Sequence, residues 1–159
     1  MTFDLTFTDA IGYGLVAANR EAIGTIVIGD FEETFSAALD VLSKRDYLGH
    51  WLEAAQRLEK GRSDSAIITS FADRGGEIIG MWWPLYALES GLIAVHNGLI
   101  FRDIVGPRFS VLCCYDYVGP HETTNEDGER ISEWNTTFDD LAEFAARVEG
   151  RLADLDQRD

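Results

Sequence analysis

The stretch Ser43 to Gly61, SKRDYLGHWLEAAQRLEKG, constrains this chain more than any other. Tyr47, Leu48, Trp51, Leu52, Ala55 and Leu58 recur at three- and four-residue spacing, which sets them on one stripe of an α-helix over about 43–60. Such a stripe must be buried against something. Ser43 suits the N-cap, because its hydroxyl can accept from a free N–H of the first turn, and Asp46 complements the positive end of the helix dipole. Gly61 can adopt the left-handed conformation that ends the helix, with Arg57 and Lys60 in the last turn. Burying Trp51, Tyr47 and three leucines contributes on the order of 10 kcal/mol before chain entropy is subtracted.

The remaining segments that can cover this stripe are mostly strands. Thr2 to Thr8 alternates, with Phe3, Leu5 and Phe7 on one face and Thr2, Asp4, Thr6 and Thr8 on the other, the pattern of a half-buried strand. Gly12 and Gly14 mark a bend, after which Leu15–Ala18 and Gly24–Ile28 read as short strands. FEETFSAAL, Phe31 to Leu39, has helical character, but Phe35, Ala37 and Leu39 fit a period of two and a strand is expected.

Beyond Gly61 the chain turns β-rich. Ala66–Phe71, Ile78–Leu88 and Leu92–Phe101 are three expected strands, separated by the turn formers Asp73-Arg74-Gly75-Gly76 and Glu89-Ser90-Gly91. Connections this short require antiparallel hairpins, since a parallel crossover needs a dozen residues or more. Pro84 removes a ladder donor, which predicts an edge or a bulge, and Asn97-Gly98 is a turn signal that can split the third strand. FSVLCCYDY, Phe109 to Tyr117, has no clear period and is assigned as a strand. His121 to Gly128 is a polar loop and Glu129–Asn135 the last strand. Thr137 caps a second amphipathic helix, about 137–152, with the stripe Phe138, Leu141, Phe144, Ala145, Val148 and Leu152, and Asp154–Asp159 should fray. Together these describe one α+β domain over residues 1–159, mainly antiparallel sheet with two principal helices.

Charge narrows the possible partners. Twenty-eight acidic against 13 basic residues give a net charge of -15, which argues against direct contact with a phosphate backbone and for a basic protein partner. No run of about 18 apolar residues and no charged leader followed by an apolar stretch occurs, so a cytoplasmic protein without membrane contact is expected. Cys113 and Cys114 are adjacent, a spacing that strains a mutual bridge, and two reduced thiols are expected, at least one of them buried.

No catalytic constellation emerges. His50, His96 and His121 lie in separate segments without the spacing of a metal motif, and no metal or cofactor is expected. His50 falls off its helix's apolar stripe and is assigned to solvent. Asp127-Gly128-Glu129 resembles a fragment of a calcium loop but lacks the preceding acidic positions, and reads as a tight turn. Glu122, Glu129 and Glu133 offer a carboxylate pair for acid and base work only if a cleft raises one pKa. Of Trp82 and Trp83, neighbours on a strand, one should enter the core while the other needs a cover, from this chain or from a partner.

The run DYLGHWLEAAQRLEKGRSDSAIITSF, then MWWPLY, VHNGLIF and ETTNEDGERISEWNTTFDDLAEF, resembles an immunity-protein family of bacterial contact-dependent growth inhibition systems. The resemblance spans roughly Thr25 to Leu152 and is strongest in the helix from Tyr47 and in Ile131-Ser132-Glu133-Trp134 with Thr136. The Cys113 segment departs from the helical pattern expected of the family there. The resemblance implies a cytoplasmic antitoxin that is not an enzyme. Its fold would be similar to the Whirly domains, and it would bind the C-terminal nuclease domain of a toxin, in the most similar branch one that cuts ribosomal RNA. A nuclease presents a basic groove, and an acidic protein fits it. The candidate contact surface is Glu122, Glu126, Asp127, Glu129 and Glu133, with Glu32 and Glu33 as a second patch. Trp134 is assigned to the core, and a monomer is expected. Two alternatives stay open: a small-molecule-binding domain or enzyme with a pocket between helix and sheet, and a structural homodimer.

Overall fold

The computed structural model describes residues 2–8 and 21–158. The expected central helix is present as α1, Lys44–Glu59. Its start is a reciprocal capping box: Asp46 N–H donates to Ser43 Oγ at 3.1 Å and Ser43 N–H to Asp46 Oδ2 at 2.9 Å. At its end Gly61 sits at φ 93°, with Gly61 N–H donating to the Leu58 carbonyl and Arg62 N–H to that of Arg57. These two bonds are the paired closure that a left-handed residue makes possible. Tyr47, Leu48, Trp51, Ala55 and Leu58 are buried as the stripe predicts. His50 is buried too, at 7% exposure, which corrects its assignment to solvent. The helix packs against the strand Asp64–Phe71 and against the last helix, Phe138–Arg158, and stacks His50 on Tyr115, so its buried arc is wider than one stripe.

Among the described residues, two antiparallel sheets supply most of the rest. The first is the meander β1 (Phe3–Phe7), β2 (Glu21–Ile28) and β3 (Phe31–Ala38), in register Phe3↔Ile28 and Ile28↔Phe31. The period-two assignment of Phe31–Leu39 therefore holds. The proposed bend at Gly12 and Gly14 and the strand Leu15–Ala18 lie outside the described residues. The second sheet contains β4 (Asp64–Phe71), β5 (Ile78–Ala87), β6 (Leu92–Val95), β7 (Gly98–Phe101) and β8 (Trp134–Thr137). Its strand order is β4-β5-β6-β8, with β7 also paired to β5. Leu92–Phe101 is thus two strands, broken at His96-Asn97 as the turn signal allowed.

Pro84 is not at an edge, contrary to expectation. β5 pairs with β4 along one side and successively with β7 and β6 along the other, and the only register shifts flanking it fall at Ile68/Ser70 and Ile78/Gly80. The Pro84 carbonyl accepts from His96 N–H at 2.9 Å, so its missing N–H faces the junction where β6 gives way to β7. A ladder donor is dispensable at that point.

Helices close one margin of each sheet. Along β4, Trp51 Nε1 donates to the Ile68 carbonyl at 2.9 Å, Ile68 N–H donates to His50 Nε2 at 2.8 Å, and Phe71 N–H donates to Tyr47 Oη at 3.1 Å. Tyr47 Oη in turn donates to the Ala38 carbonyl at 2.5 Å, tying β3 to the same helix. Along β1, Arg147 and Arg151 of α3 (Phe138–Arg158) donate to the Phe3 and Leu5 carbonyls at 2.7 and 3.2 Å. Side chains thereby satisfy backbone groups that would otherwise template pairing with another chain. α3 starts at a Thr137 hydroxyl that accepts from Asp140 N–H, but it runs through Arg158, so the expected fraying from Asp154 is corrected. Arg151 in its second half grips β1 and Asp156 pairs with Arg45 of α1, which explains why that half is held.

Residues 109–137 depart most from expectation. Val111–Tyr117 is a 3₁₀-helix following a four-residue helix α2 (Arg102–Val105), not a strand. The helical pattern expected from the family resemblance is the one observed. Cys114 is buried and Cys113 partly so, both unbridged; burial pushes the Cys114 thiol up to about 12, which removes it from thiolate chemistry. The last strand is Trp134–Thr137 rather than 129–135. Trp83 is fully buried, while the half-buried Trp82 is covered edge-on by Phe109 at 6.2 Å, so this chain supplies the cover itself. Trp134 is half-buried against Trp83 and Phe31, at ring separations of 5.7 and 4.3 Å, and this aromatic contact joins the two sheets.

Candidate functional site

The candidate contact residues Glu122, Glu126, Asp127, Glu129 and Glu133 lie in the segment 118–133, which contains no helix and one isolated bridge, Thr124↔Arg130. Its tip is a tight turn whose shape follows from one side chain. Asn125 Oδ1 accepts from Asp127 N–H at 3.0 Å and Glu129 N–H at 2.9 Å, while Gly128, at φ 78°, donates to the Asn125 carbonyl. Asp127-Gly128-Glu129 is therefore the expected turn. Glu122, Glu126, Asp127 and Glu129 are all exposed around it. The turn hydrogen-bonds its own backbone, so these carboxylates point outward from a defined shape at little further ordering cost.

Glu133 behaves differently. Its Oε1 lies 2.9 Å from His96 Nε2 and 2.5 Å from His121 Nε2. The side chain is about a quarter exposed, like that of His121 at 28%, whereas that of His96 is at 9%. Burial pushes the Glu133 carboxyl up, and the hydrogen bonds from His121 and His96 more than reverse this, leaving it below the ordinary value. Tyr86 packs on both imidazoles, at ring distances of 5.1 and 5.0 Å. Sequence spacing kept the histidines apart, but the fold unites two of them. The signal lay in strand pairing: Val95 faces Trp134 in the β6–β8 register, so His96 and Glu133 are the next pair beyond it.

The second acidic patch divides. Glu32 is exposed, while Glu33 is half-buried on the face of β3 that carries Phe31 and Phe35. The Phe31–Trp134 contact sets the start of β3 beside the start of β8, while Glu32, the next residue on the strand, faces the side opposite Phe31.

The third histidine sits elsewhere. Burial lowers the His50 pKa to about 4, and its Nε2 accepts from Ile68, which fixes a neutral ring stacked 6.3 Å from Tyr115. A groove of about 540 Å³ passes His50, but it lies on the outer side of α1, lined largely by apolar groups such as Leu42, Val111, Leu112 and Leu152. That groove lies between α1, the 3₁₀-helix and α3, whereas a cavity of about 440 Å³ lies between α2 and the sheet, lined by Phe71, Ile79, Arg102, Asp103 and Phe109. Among the described residues no helix is long and apolar enough to cross a membrane.

Three comparisons bear on this architecture. The model of the CdiI N-terminal domain family matches residues 37–144. The Immunity protein CdiI of Enterobacter cloacae subsp. cloacae is 28% identical over 120 residues, covering 76% of this chain and 81% of that protein. A chain of the CdiA-CT/CdiI toxin and immunity complex from Enterobacter cloacae shares the fold, with a TM-score of 0.78 at 24% identity, over 94% of this chain and 99% of that one.

Proposed function

The chain belongs to the CdiI N-terminal domain family, and from that premise we propose that it is a cytoplasmic immunity protein that binds and neutralises the toxin of a contact-dependent growth inhibition system. The toxin domain it meets is a basic nuclease, of the kind that cuts ribosomal RNA. Contact is made through Glu122, Glu126, Asp127, Glu129 and Glu133, with Glu32 and the half-buried Glu33 as a second patch. The protein acts as a monomeric stoichiometric inhibitor without catalysis and without contacting nucleic acid.

The observation that carries this proposal is the self-braced acidic turn, exposed on a protein of net charge -15. A rigid negative surface attracts a nucleic-acid-binding groove over long range and excludes the natural polyanion from it. The relative from Enterobacter cloacae is described in complex with its toxin, which supports a protein partner of the same class.

The test is co-expression with the toxin domain encoded beside this chain. Growth should be rescued, and the two proteins should co-purify at 1:1. Failure to associate, or turnover of any substrate by the chain alone, would overturn the proposal.

A further inference from the structure

Two of the three histidines in the chain bring the same ring nitrogen to a single carboxylate oxygen. The donors come from three separate places: His96 directly after β6, His121 from the irregular segment and Glu133 directly before β8. The ligand atoms all lie within 4.8 Å of one another. Hydrogen bonding alone does not require both imidazoles to meet one oxygen, since a carboxylate has two oxygens and about four lone-pair directions. Convergence of two imidazole nitrogens and a carboxylate oxygen is what a metal centre requires.

We propose that His96, His121 and Glu133 form a binding site for a divalent transition-metal ion of the zinc class. Imidazole nitrogen with carboxylate oxygen is the donor set that selects zinc and its neighbours over calcium or magnesium, which prefer oxygen alone. At metal–ligand distances of about 2.0–2.2 Å a tetrahedral ion holds its ligand atoms about 3.4 Å apart. The two N···O separations, 2.9 and 2.5 Å, therefore need to open by less than about 1 Å. His121 and Glu133 can accommodate this because both are partly exposed and neither is in a regular element. Each imidazole binds through Nε2 as a neutral ring protonated on Nδ1, and the proton that Nε2 gave to the bond with Glu133 moves to Nδ1 or is released to water. Three protein ligands leave a fourth position for water on the exposed side, while Tyr86 walls the other side.

The consequence is mechanical. His121 anchors one end of residues 121–133 and Glu133 the other, while His96 directly follows β6 and is held to β5 by its N–H on the Pro84 carbonyl. An ion here clamps both feet of the acidic turn to the end of β6. The inference rests on these contacts and holds whether or not the acidic turn meets a toxin.

The experiment uses the full, tag-free chain, stripped with chelator and titrated with Zn²⁺ alone by calorimetry, with thermal melting in parallel. The expected result is one ion per chain, a raised melting temperature, and affinity weakened on the order of 100-fold or more in His121→Ala and in Glu133→Gln. Both variants alter partly exposed side chains outside the core, and circular dichroism verifies their folding. A Co²⁺-loaded sample should show the visible absorption of a four-coordinate ion, and His121→Ala should lose it. No uptake by the wild-type chain, or uptake equal in wild type and His121→Ala, as scattered binding to surface carboxylates would give, overturns the proposal.

Discussion

The seam between α1 and β4 and the segment 118–133 use polar groups in opposite ways. At the seam, Tyr47, His50 and Trp51 point inward, and each hydrogen-bonds a strand backbone group away from water. In the segment 118–133, Asn125 turns its oxygen onto its own backbone, and the carboxylates face solvent. The seam converts its polar atoms into fold stability, because a buried group left unmatched costs about 1–3 kcal/mol. The turn adds little to stability and instead holds charge in place. Substitutions in the two regions should therefore separate folding from capture.

The sharpest break is Trp51→Ala. It removes a fully buried ring and the bond to Ile68, and should lower stability by roughly 3–5 kcal/mol in denaturant unfolding. Whatever fraction stays folded should keep its affinity for the toxin. A seam variant with normal stability would contradict the division.

Acid should act next, through His50. Its pKa is about 4 in the folded chain against an ordinary value near 6.5, so the unfolded chain binds the proton first as pH falls. The stabilising contribution is complete above about pH 6.5 and is lost downward toward pH 4. Between pH 7 and pH 5 the loss is about 2 kcal/mol. Urea unfolding at these two pH values checks it, and His50→Gln should flatten the difference.

Gly61→Ala tests the end of α1. With φ at 93° and open space around the position, a methyl group meets no atom but strains the backbone, and stability should fall by about 1 kcal/mol. At the other extreme, the triple change Glu126→Gln, Asp127→Asn, Glu129→Gln should move stability by no more than about 0.5 kcal/mol. The same change should slow toxin association about tenfold at low salt.

These regions also differ in how far the sequence reveals them. α1 is legible because one stripe and two caps agree: Ser43, Asp46 and Gly61 perform the roles their chemistry suggests. The stripe alone sets His50 in solvent because it presumes a single covering surface, and α1 is covered by β4, by α3 and by Tyr115. In 109–117 the apolar run has no period because the segment is a 3₁₀-helix crossing over Trp82 and α1, and its partners are set by tertiary position. Pro84 looked like an edge marker, since nothing local tells that two short strands meet opposite it. The acidic turn could be read from Asn125 to Gly128. The meeting of His96, His121 and Glu133 could not, because it needs the β6–β8 register to be known first.

The most direct measurement is the association rate of the chain with the toxin domain encoded beside it, followed across salt concentrations for wild type and the triple turn variant. The wild-type rate should fall steeply as salt rises, and the variant should begin near the high-salt rate and change little. Identical rates and identical salt slopes for the two proteins would contradict an acidic turn built to find a basic partner.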